Sequence, residues 1–375
     1  MERPLEQVLA DYDDKATLAQ AWTIPASWYT DARLAELERR RVFGRTWQMV
    51  GRAEQVAEPG QYVTAEVAGE PVVVVRGEDR VLRAFYNVCR HHAAAVMTEP
   101  AGTCSLMRCP YHSWTYGLDG SLKGTPDFAG VADFDRAANG LLPVRVETWE
   151  QFVFVNLDLQ APNFADHLGG MAARIAPLNL GSLHFVERRV FPLQCNWKVF
   201  VDNYLDGGYH VPYLHKGLSS VLDYAGYTIE CEDRYCLQSS PVKAEGGEAA
   251  TAAVRKGEAL YFWLYPNLML NWYEGYLDTN LVLPSGIDRC QVIFDFYFAD
   301  VSEKAAEHNR KSIEVSQRVQ DEDHAICESV QRGLNSRAYR AGRLSVRREA
   351  GEHLFHRLLA KDLKSGLERE RAAAD

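Results

Sequence analysis

Residues 89–112 read CRHHAAAVMTEPAGTCSLMRCPYH. Cys89 and His91 stand two positions apart, seventeen residues follow, and Cys109 and His112 then stand three apart. Each short loop offers one thiolate and one imidazole. A zinc finger usually groups its cysteines on one knuckle and its histidines on the other, whereas this pattern interleaves them. A [2Fe–2S] centre in which two cysteines hold one iron and two histidines the other needs that interleaving, and its neutral imidazoles raise the potential. Pro110 and the turn-forming GLDG at 117–120 mark the second pair as part of a tight loop. Four incidental polar residues would be the plainer reading, but two matching spacings in one stretch weigh against it. Cys104 lies outside the four-ligand pattern and reads as a buried structural thiol.

The fold grows outward from this stretch. From Trp47 onward the apolar period is two: QYVTAEVAG, EPVVVVRG and RVLRAFYNVC are separated by Pro-Gly, Gly-Glu and Gly-Glu-Asp punctuation. A small antiparallel β domain is predicted, ending near Val155 after QFVFVNLD. Before it, PASWYTDARLAELERRRVF carries apolar residues at helical spacing, with Thr30 and Asp31 as candidate caps. After it, helices are predicted at about 164–177 and 196–209, strands across 227–300, and a long helix from about 302 to 334, with LERERAAAD as a helix end. The reading is an α+β chain with a helical arm (1–45), an N-terminal antiparallel β domain (46–160) and a C-terminal domain (161–375) of antiparallel sheet and covering helices.

Composition narrows the function. With 375 residues there is enough chain for one large or two moderate domains. A formal charge of −10 argues against a nucleic-acid binder, and Arg39–Arg41 is too short a basic run to supply one. The N-terminus has no apolar signal region and no run of about 18 apolar residues occurs, so a cytoplasmic protein without a membrane span is expected. Eight cysteines then fit metal ligation and buried thiols better than disulfides.

A second constellation lies at 202–215, DNYLDGGYHVPYLH. An ideal helix would point His210 and His215, five apart, about 140° away from each other, so one metal can take both only if the helix breaks. Gly207, Gly208 and Pro212 supply the break. Two histidines and one carboxylate, with positions left open for dioxygen, form the facial triad of non-heme Fe(II) sites. The carboxylate need not be local. On a wheel of 302–334, Val319, Ile326, Cys327, Val330 and Leu334 fall within about 60° of Asp323, which places that acid in an apolar stripe. Asp321, Glu322 and Glu328 fall off it. A buried acid without a partner is costly, and coordination removes the cost, so Asp323 is the candidate third ligand.

The stretch CRHH (89–92) with CPYHSWTYGLDGSLKG (109–124) resembles the Rieske domain of ring-hydroxylating and related Rieske non-heme iron oxygenases. That family more often has Gly where Ser113 stands and Arg where His92 stands. DNYLDGGYHVPYLHKG and VQDEDHAICESVQRGLNSRAYRAGR resemble plant choline monooxygenases and their bacterial relatives, and the likeness runs from Pro25 to Leu359. It implies a Rieske 2Fe-2S cluster on Cys89, His91, Cys109 and His112, a mononuclear Fe(II) on His210, His215 and Asp323, and a helix-grip, START-like catalytic domain. It gives Asp206 the part of the acid linking a Rieske histidine of one subunit to an iron histidine of its neighbour, though many relatives place that acid three residues before the first histidine rather than four. Asn203 matches a family asparagine near the iron, and a helix-surface amide is an equal reading. Head-to-tail homotrimers are implied. The chain has no plant-type ferredoxin signature and no nucleotide-binding glycine fingerprint, so electrons would come from a separate NAD(P)H-dependent reductase or a ferredoxin.

The segment ALYFWLYPNLMLNWYEGYLDTN is dense in aromatics, and alternation puts Tyr261, Trp263 and Tyr265 on one strand face. Aromatic faces hold quaternary ammonium groups, so Trp263, Tyr265, Trp272, Tyr273 and Tyr276 are candidate substrate contacts, with Glu274 adding charge complementarity. Core packing is the more common fate of such residues, and NWYEGYLDTN departs from the plant enzymes here. The expected activity is O2-dependent hydroxylation or N-demethylation of a small quaternary ammonium compound such as choline or a betaine. The alternative is an aromatic or alicyclic substrate, hydroxylated or O-demethylated. A pure electron carrier would leave His210, His215 and Asp323 without a use, and a zinc scaffold would lack the visible bands of a 2Fe-2S cluster.

Overall fold

The four consecutive valines of β3 show how the first sheet is built. The computed structural model describes residues 3–243 and 246–374, and the chain divides into two compact units, Arg39–His167 and Met1–Glu38 with Leu168–Asp375. In the first unit β1 (Gln48–Arg52), β2 (Gln61–Val67), β3 (Glu70–Arg76), β4 (Leu82–Tyr86) and β5 (Ala101–Thr103) precede three short strands, β6 (Met107–Arg108), β7 (Thr115–Tyr116) and β8 (Leu122–Gly124). The hairpin β9 (Pro143–Trp149) and β10 (Phe152–Asn156) completes a seven-stranded antiparallel sheet in the order β1-β10-β9-β4-β3-β2-β5, and β6-β7-β8 form a sheet of their own. Val72 and Val74 face a core with Val63, Val153 and Val155, while Val73 and Val75 face another that contains Cys89, Cys109, Trp114 and Tyr116. β3 is thus buried on both faces, each valine contributing about 1.5–3 kcal/mol of burial, and the cysteine loops are anchored on one of those faces.

The second unit is a seven-stranded antiparallel sheet, β11 (His184–Leu193), β12 (Thr228–Glu232), β13 (Tyr235–Pro241), β14 (Glu258–Leu264), β15 (Leu268–Tyr273), β16 (Tyr276–Gly286) and β17 (Arg289–Phe298), in the order β11-β17-β16-β15-β14-β13-β12. Helix Trp197–Leu205 lies against β16 and β17, and the helices Ala306–Leu334 and Ala350–Ala374 pack on it. Phe355 of the last helix wedges edge-on between Trp197 and Trp263, with ring centroids 5.5 and 5.6 Å away. The α+β reading and the antiparallel sheets stand. The helical reading of 367–375 holds to Ala374, and Asp375 lies outside the described residues. No helix among the described residues is long and apolar enough to cross a membrane.

Three local expectations are corrected. The helix predicted at 164–177 is two short helices, Phe164–Leu168 and Met171–Ile175, because Gly169 and Gly170 intervene and Gly169 takes φ +53°. The helix predicted at 196–209 stops at Leu205, where Gly207 and Gly208 adopt φ +70° and +67°. In the long helix, Ile326 and Val330 are 39% and 44% exposed, so they do not belong to a buried stripe. The face that meets the rest of the unit is rotated toward Cys327 and is largely small or polar: Asn309, Ser312, Ser316, Gln320, Cys327, Gln331 and Leu334 are buried on it. Asp323 sits at the edge of that face, its side chain 13% exposed.

Candidate metal centres

In the first unit the two cysteine loops are built alike. Cys89 N–H donates to Ala94 O (2.8 Å) and Ala93 N–H to Cys89 O (3.0 Å); Cys109 N–H donates to Trp114 O (2.9 Å) and Ser113 N–H to Cys109 O (3.1 Å). Each loop closes through a left-handed residue four after its cysteine, Ala93 at φ +62° and Ser113 at φ +57°. A glycine at the second of these positions would meet the same backbone demand without a Cβ.

The loops bring Cys89, His91, Cys109 and His112 together. Both cysteines are buried, and burial together with the neighbouring Cys89 thiol pushes the Cys109 thiol up. The His91 ring stacks on Trp114 (4.7 Å, 5° between planes) and lies 4.8 Å from the His112 ring. His91 Nδ1 is buried and has no hydrogen-bond partner. A pair of buried adjacent thiols and an orphaned imidazole nitrogen suit an iron–sulfur cluster, whose cationic irons satisfy all of them. Tyr116 OH lies 3.4 Å from Cys89 Sγ and accepts from Arg90 N–H at 2.9 Å. Burial and that cysteine raise the phenol's pKa, so its proton is available to the sulfur.

The second unit assembles the other set. The broken backbone after Leu205 turns both imidazoles inward: His210 Nε2 and His215 Nε2 are 3.0 Å apart, and Asp323 Oδ1 lies 3.1 Å from His215 Nε2 and 3.7 Å from His210 Nε2. About 3 Å is the spacing of adjacent donors that share one ion at about 2.1 Å, so two imidazoles and one carboxylate fit a single metal of the non-heme iron type. The far side of each ring is held by an acid: His210 Nδ1 is 2.6 Å from Asp206 Oδ2, and His215 Nδ1 is 2.6 Å from Glu322 Oε2. These acids accept hydrogen bonds from the Nδ1–H groups and leave both Nε2 lone pairs pointing at one spot. Burial pulls His215 toward a lower pKa, but the Asp323 and Glu322 carboxylates outweigh it and hold it above the ordinary value. Asn203 Nδ2 donates to Asp323 Oδ1 at 2.8 Å, which fixes the carboxylate's orientation.

Asp202 belongs elsewhere. It accepts from Tyr29 OH (2.5 Å), and its Oδ1 lies 3.0 Å from His356 Nε2, with Glu352 beside them. Ile24 N–H faces His356 Nδ1 at 3.4 Å, so the imidazole proton sits on Nε2 and that nitrogen has no lone pair for a metal.

A cavity of about 120 Å³ is lined by His210, His215 and Asp323 together with Tyr204, Tyr227, Tyr261 and Tyr273, and by Arg255, Asp278, Asn271, Asn280, Gln238 and Gln320. Of the six proposed substrate contacts only Tyr273 is among the residues lining it. Trp263 and Tyr265 are buried in the core, the former under Phe355, because alternation set their face correctly but places them farther along the sheet. Trp272 pairs with Leu260 and Leu277 on the opposite strand face from Tyr273, and Glu274 is exposed in the β15–β16 turn. Tyr276 is buried behind the lining, its hydroxyl on Asp278 (2.7 Å) and Ser316 (2.8 Å). Arg255 and Asp278 are passed over in the sequence reading, which sets Glu322 off the stripe, away from the site. The polar run Asp278-Thr279-Asn280 inside an otherwise apolar strand was a usable signal for Asp278; Arg255 had none.

Comparison with known proteins agrees with this layout. Residues 46–135 match the Rieske [2Fe-2S] domain model, and residues 180–365 match the catalytic domain model of the ring hydroxylating alpha subunit. Choline monooxygenase, chloroplastic, of Arabidopsis thaliana is 40% identical over 96% of this chain and 87% of its own length. The carnitine monooxygenase oxygenase subunit of Escherichia coli (strain K12) is 36% identical over 92% and 95%. The crystal structure of a quaternary ammonium Rieske monooxygenase in complex with L-carnitine superposes with TM-score 0.80 at 31% identity, covering 96% of this chain and 99% of that one. A naphthalene 1,2-dioxygenase, 19% identical with TM-score 0.77 over 94% of this chain and 95% of that one, shares the fold. The chain therefore belongs to the Rieske oxygenase family, as the alpha subunit of a Rieske non-heme iron monooxygenase with a [2Fe–2S] domain and a mononuclear iron domain.

Proposed function

We propose that this enzyme oxidises a small quaternary ammonium compound at a C–H bond next to nitrogen or oxygen, with Cys89, His91, Cys109 and His112 holding the cluster and His210, His215 and Asp323 the mononuclear iron. The observation that carries the substrate class is the lining of the cavity beside the two histidines: four tyrosines and the buried carboxylate of Asp278. Tyrosine faces and an acid suit a cation that donates no hydrogen bonds. Phe200, Val211, Leu218, Phe294, Val315 and Val319 supply apolar wall beside Asn271, Asn280, Gln238 and Gln320, so the choice of a cation over a flat apolar substrate rests on the tyrosines and Asp278.

When bound, the two metal centres supply electron transfer and O2 activation, with electrons delivered by a separate NAD(P)H-dependent reductase or ferredoxin. The chain's own residues supply geometry. Asp206 and Glu322 hold the histidine tautomers, Asn203 orients Asp323, and the tyrosines exclude water and set the C–H direction. A hydroxyl placed on such a carbon makes an unstable product: choline gives betaine aldehyde hydrate, and an N-methyl group leaves as formaldehyde. Asp206 is the proposed link to a neighbouring subunit's cluster in a head-to-tail trimer. A cytoplasmic location, where buried thiols such as Cys195, Cys236 and Cys327 stay reduced, is part of this reading.

The test is substrate-dependent O2 uptake with a surrogate reductase and product identification, over choline, carnitine, betaines and small aromatics. Turnover of a quaternary amine is expected; uptake with aromatics alone would overturn the substrate class.

A further inference from the structure

The cavity wall holds a buried guanidinium whose partners are all neutral. Arg255 is 3% exposed. Its Nη1 donates to Ser312 Oγ (2.5 Å), its Nη2 donates to Ser312 O (3.2 Å) and Ser316 Oγ (2.8 Å), and it lies over the rings of Tyr273 and Tyr276 at 4.8 and 4.4 Å. Among the described residues it forms no ion pair. Asp278, the acid of the same cavity, accepts from Tyr276, Asn271 and Asn280 and reaches Arg255 only through a relay of hydroxyls, Arg255 to Ser316 to Tyr276 to Asp278. Asp278 acts on Arg255 only from a distance, and a buried guanidinium with no anion in direct contact is costly, so a protein that keeps one in a cavity has a use for it there.

A second donor lines the same cavity. Gln320, one helical turn beyond Ser316, is 1% exposed and lines the cavity, and its Nε2 has no acceptor. Arg255 lacks an anion in contact and Gln320 Nε2 lacks an acceptor, and one carboxylate would answer both. Choline, a cation with a hydroxyl, does not provide it.

We propose that Arg255 and Gln320 form a carboxylate subsite, and that the substrate is a zwitterion carrying a carboxylate a few bonds from its quaternary ammonium. This rests on the quaternary ammonium reading above and narrows it: the tyrosines and Asp278 take the cation, and the guanidinium takes the carboxylate by charge-assisted hydrogen bonds. Both residues are determinants of specificity, set apart from the iron ligands.

The experiment measures kcat and KM for L-carnitine, γ-butyrobetaine and choline, with calorimetric binding of each to the metal-loaded enzyme, in the unaltered protein and in Arg255→Met and Gln320→Leu. The unaltered enzyme is expected to favour the two zwitterions over choline by at least about tenfold in kcat/KM and in affinity. Arg255→Met should cut that preference by about 10- to 100-fold, chiefly through KM, with cluster and iron content retained, and Gln320→Leu should act in the same direction more weakly. Choline bound and turned over as well as the zwitterions by the unaltered enzyme would overturn the subsite even if Arg255→Met fails to fold. So would an equal loss for all three compounds in a folded Arg255→Met. Turnover of none of the three alongside turnover of a small aromatic would instead remove the quaternary ammonium reading itself.

Discussion

At the residue scale, Asp323 and Glu322 are neighbours in sequence with different tasks. Asp323 turns its carboxylate to the two Nε2 atoms, while Glu322 reaches behind His215 to its Nδ1. Asp323→Ala is expected to lose mononuclear iron while the visible spectrum of the cluster remains, and Glu322→Gln to weaken iron retention by about 10- to 100-fold. Metal analysis beside the absorption spectrum separates the two centres; full iron occupancy in Asp323→Ala would exclude it as a ligand. The same scale explains two departures from the family pattern. Ser113 takes the left-handed conformation that glycine takes more readily, and His92 is exposed with its ring 4.1 Å from that of His91, so neither departure removes a ligand, while His92 adds a ring beside one.

At the element scale, helix Ala32–Glu38 is tied to helix Trp197–Leu205 by a buried ion pair. Lys198 Nζ lies 2.6 Å from Glu38 Oε1, and Trp197 Nε1 donates to Glu38 Oε2 at 2.8 Å. Burial pulls the Lys198 ammonium to a lower pKa, and Glu38 opposes that pull. Removing one partner strands the other charge, so Glu38→Gln is expected to cost about 3–5 kcal/mol, seen as a lower denaturant midpoint. Replacing both, as in Glu38→Leu with Lys198→Met, should recover most of it. A double variant as unstable as the single would show that the pair itself, rather than the stranded charge, carries the stability. The helix so anchored leads directly into the break at Gly207, where a Cβ would strike the carbonyl of Arg348. Only glycine lets the chain turn there and bring His210 round to His215.

At the scale of the whole molecule, the proposed head-to-tail trimer makes a test that needs no interface coordinates. Cys109→Ala, lacking the cluster, and Asp323→Ala, lacking the iron, should each be inactive. Co-expressed as mixed trimers they should regain a measurable fraction of activity, because some subunits would pair an intact cluster with a neighbour's intact iron site. Electron transfer confined within one subunit predicts no activity in any mixture, since no subunit then holds both centres. Turnover with reductase and a quaternary ammonium substrate is the readout.

Much of this was legible in the chain itself. Ligand chemistry depends on residue type and short spacing, so the cluster loops and the two candidate iron histidines could be proposed from 89–112 and 202–215, and alternation placed strands in 61–86 and across 227–300 but left β11 (His184–Leu193) unread. The long-range decisions were not local. The apolar stripe that points to Asp323 is rotated away by the fold, with Ile326 and Val330 on the outside. Trp263 and Trp272 satisfied every local cue for a cation cage, yet packing assigns one to the core and the other to the opposite face. Arg255 enters the cavity because the backbone before β14 carries it beneath Ser312 and Ser316 of a helix more than fifty residues later. Spacing along the chain determined which atoms are candidates to bind metal; which side chains share a cavity with them was decided only when sheet and helix closed on each other, because burial is a property of the assembled packing.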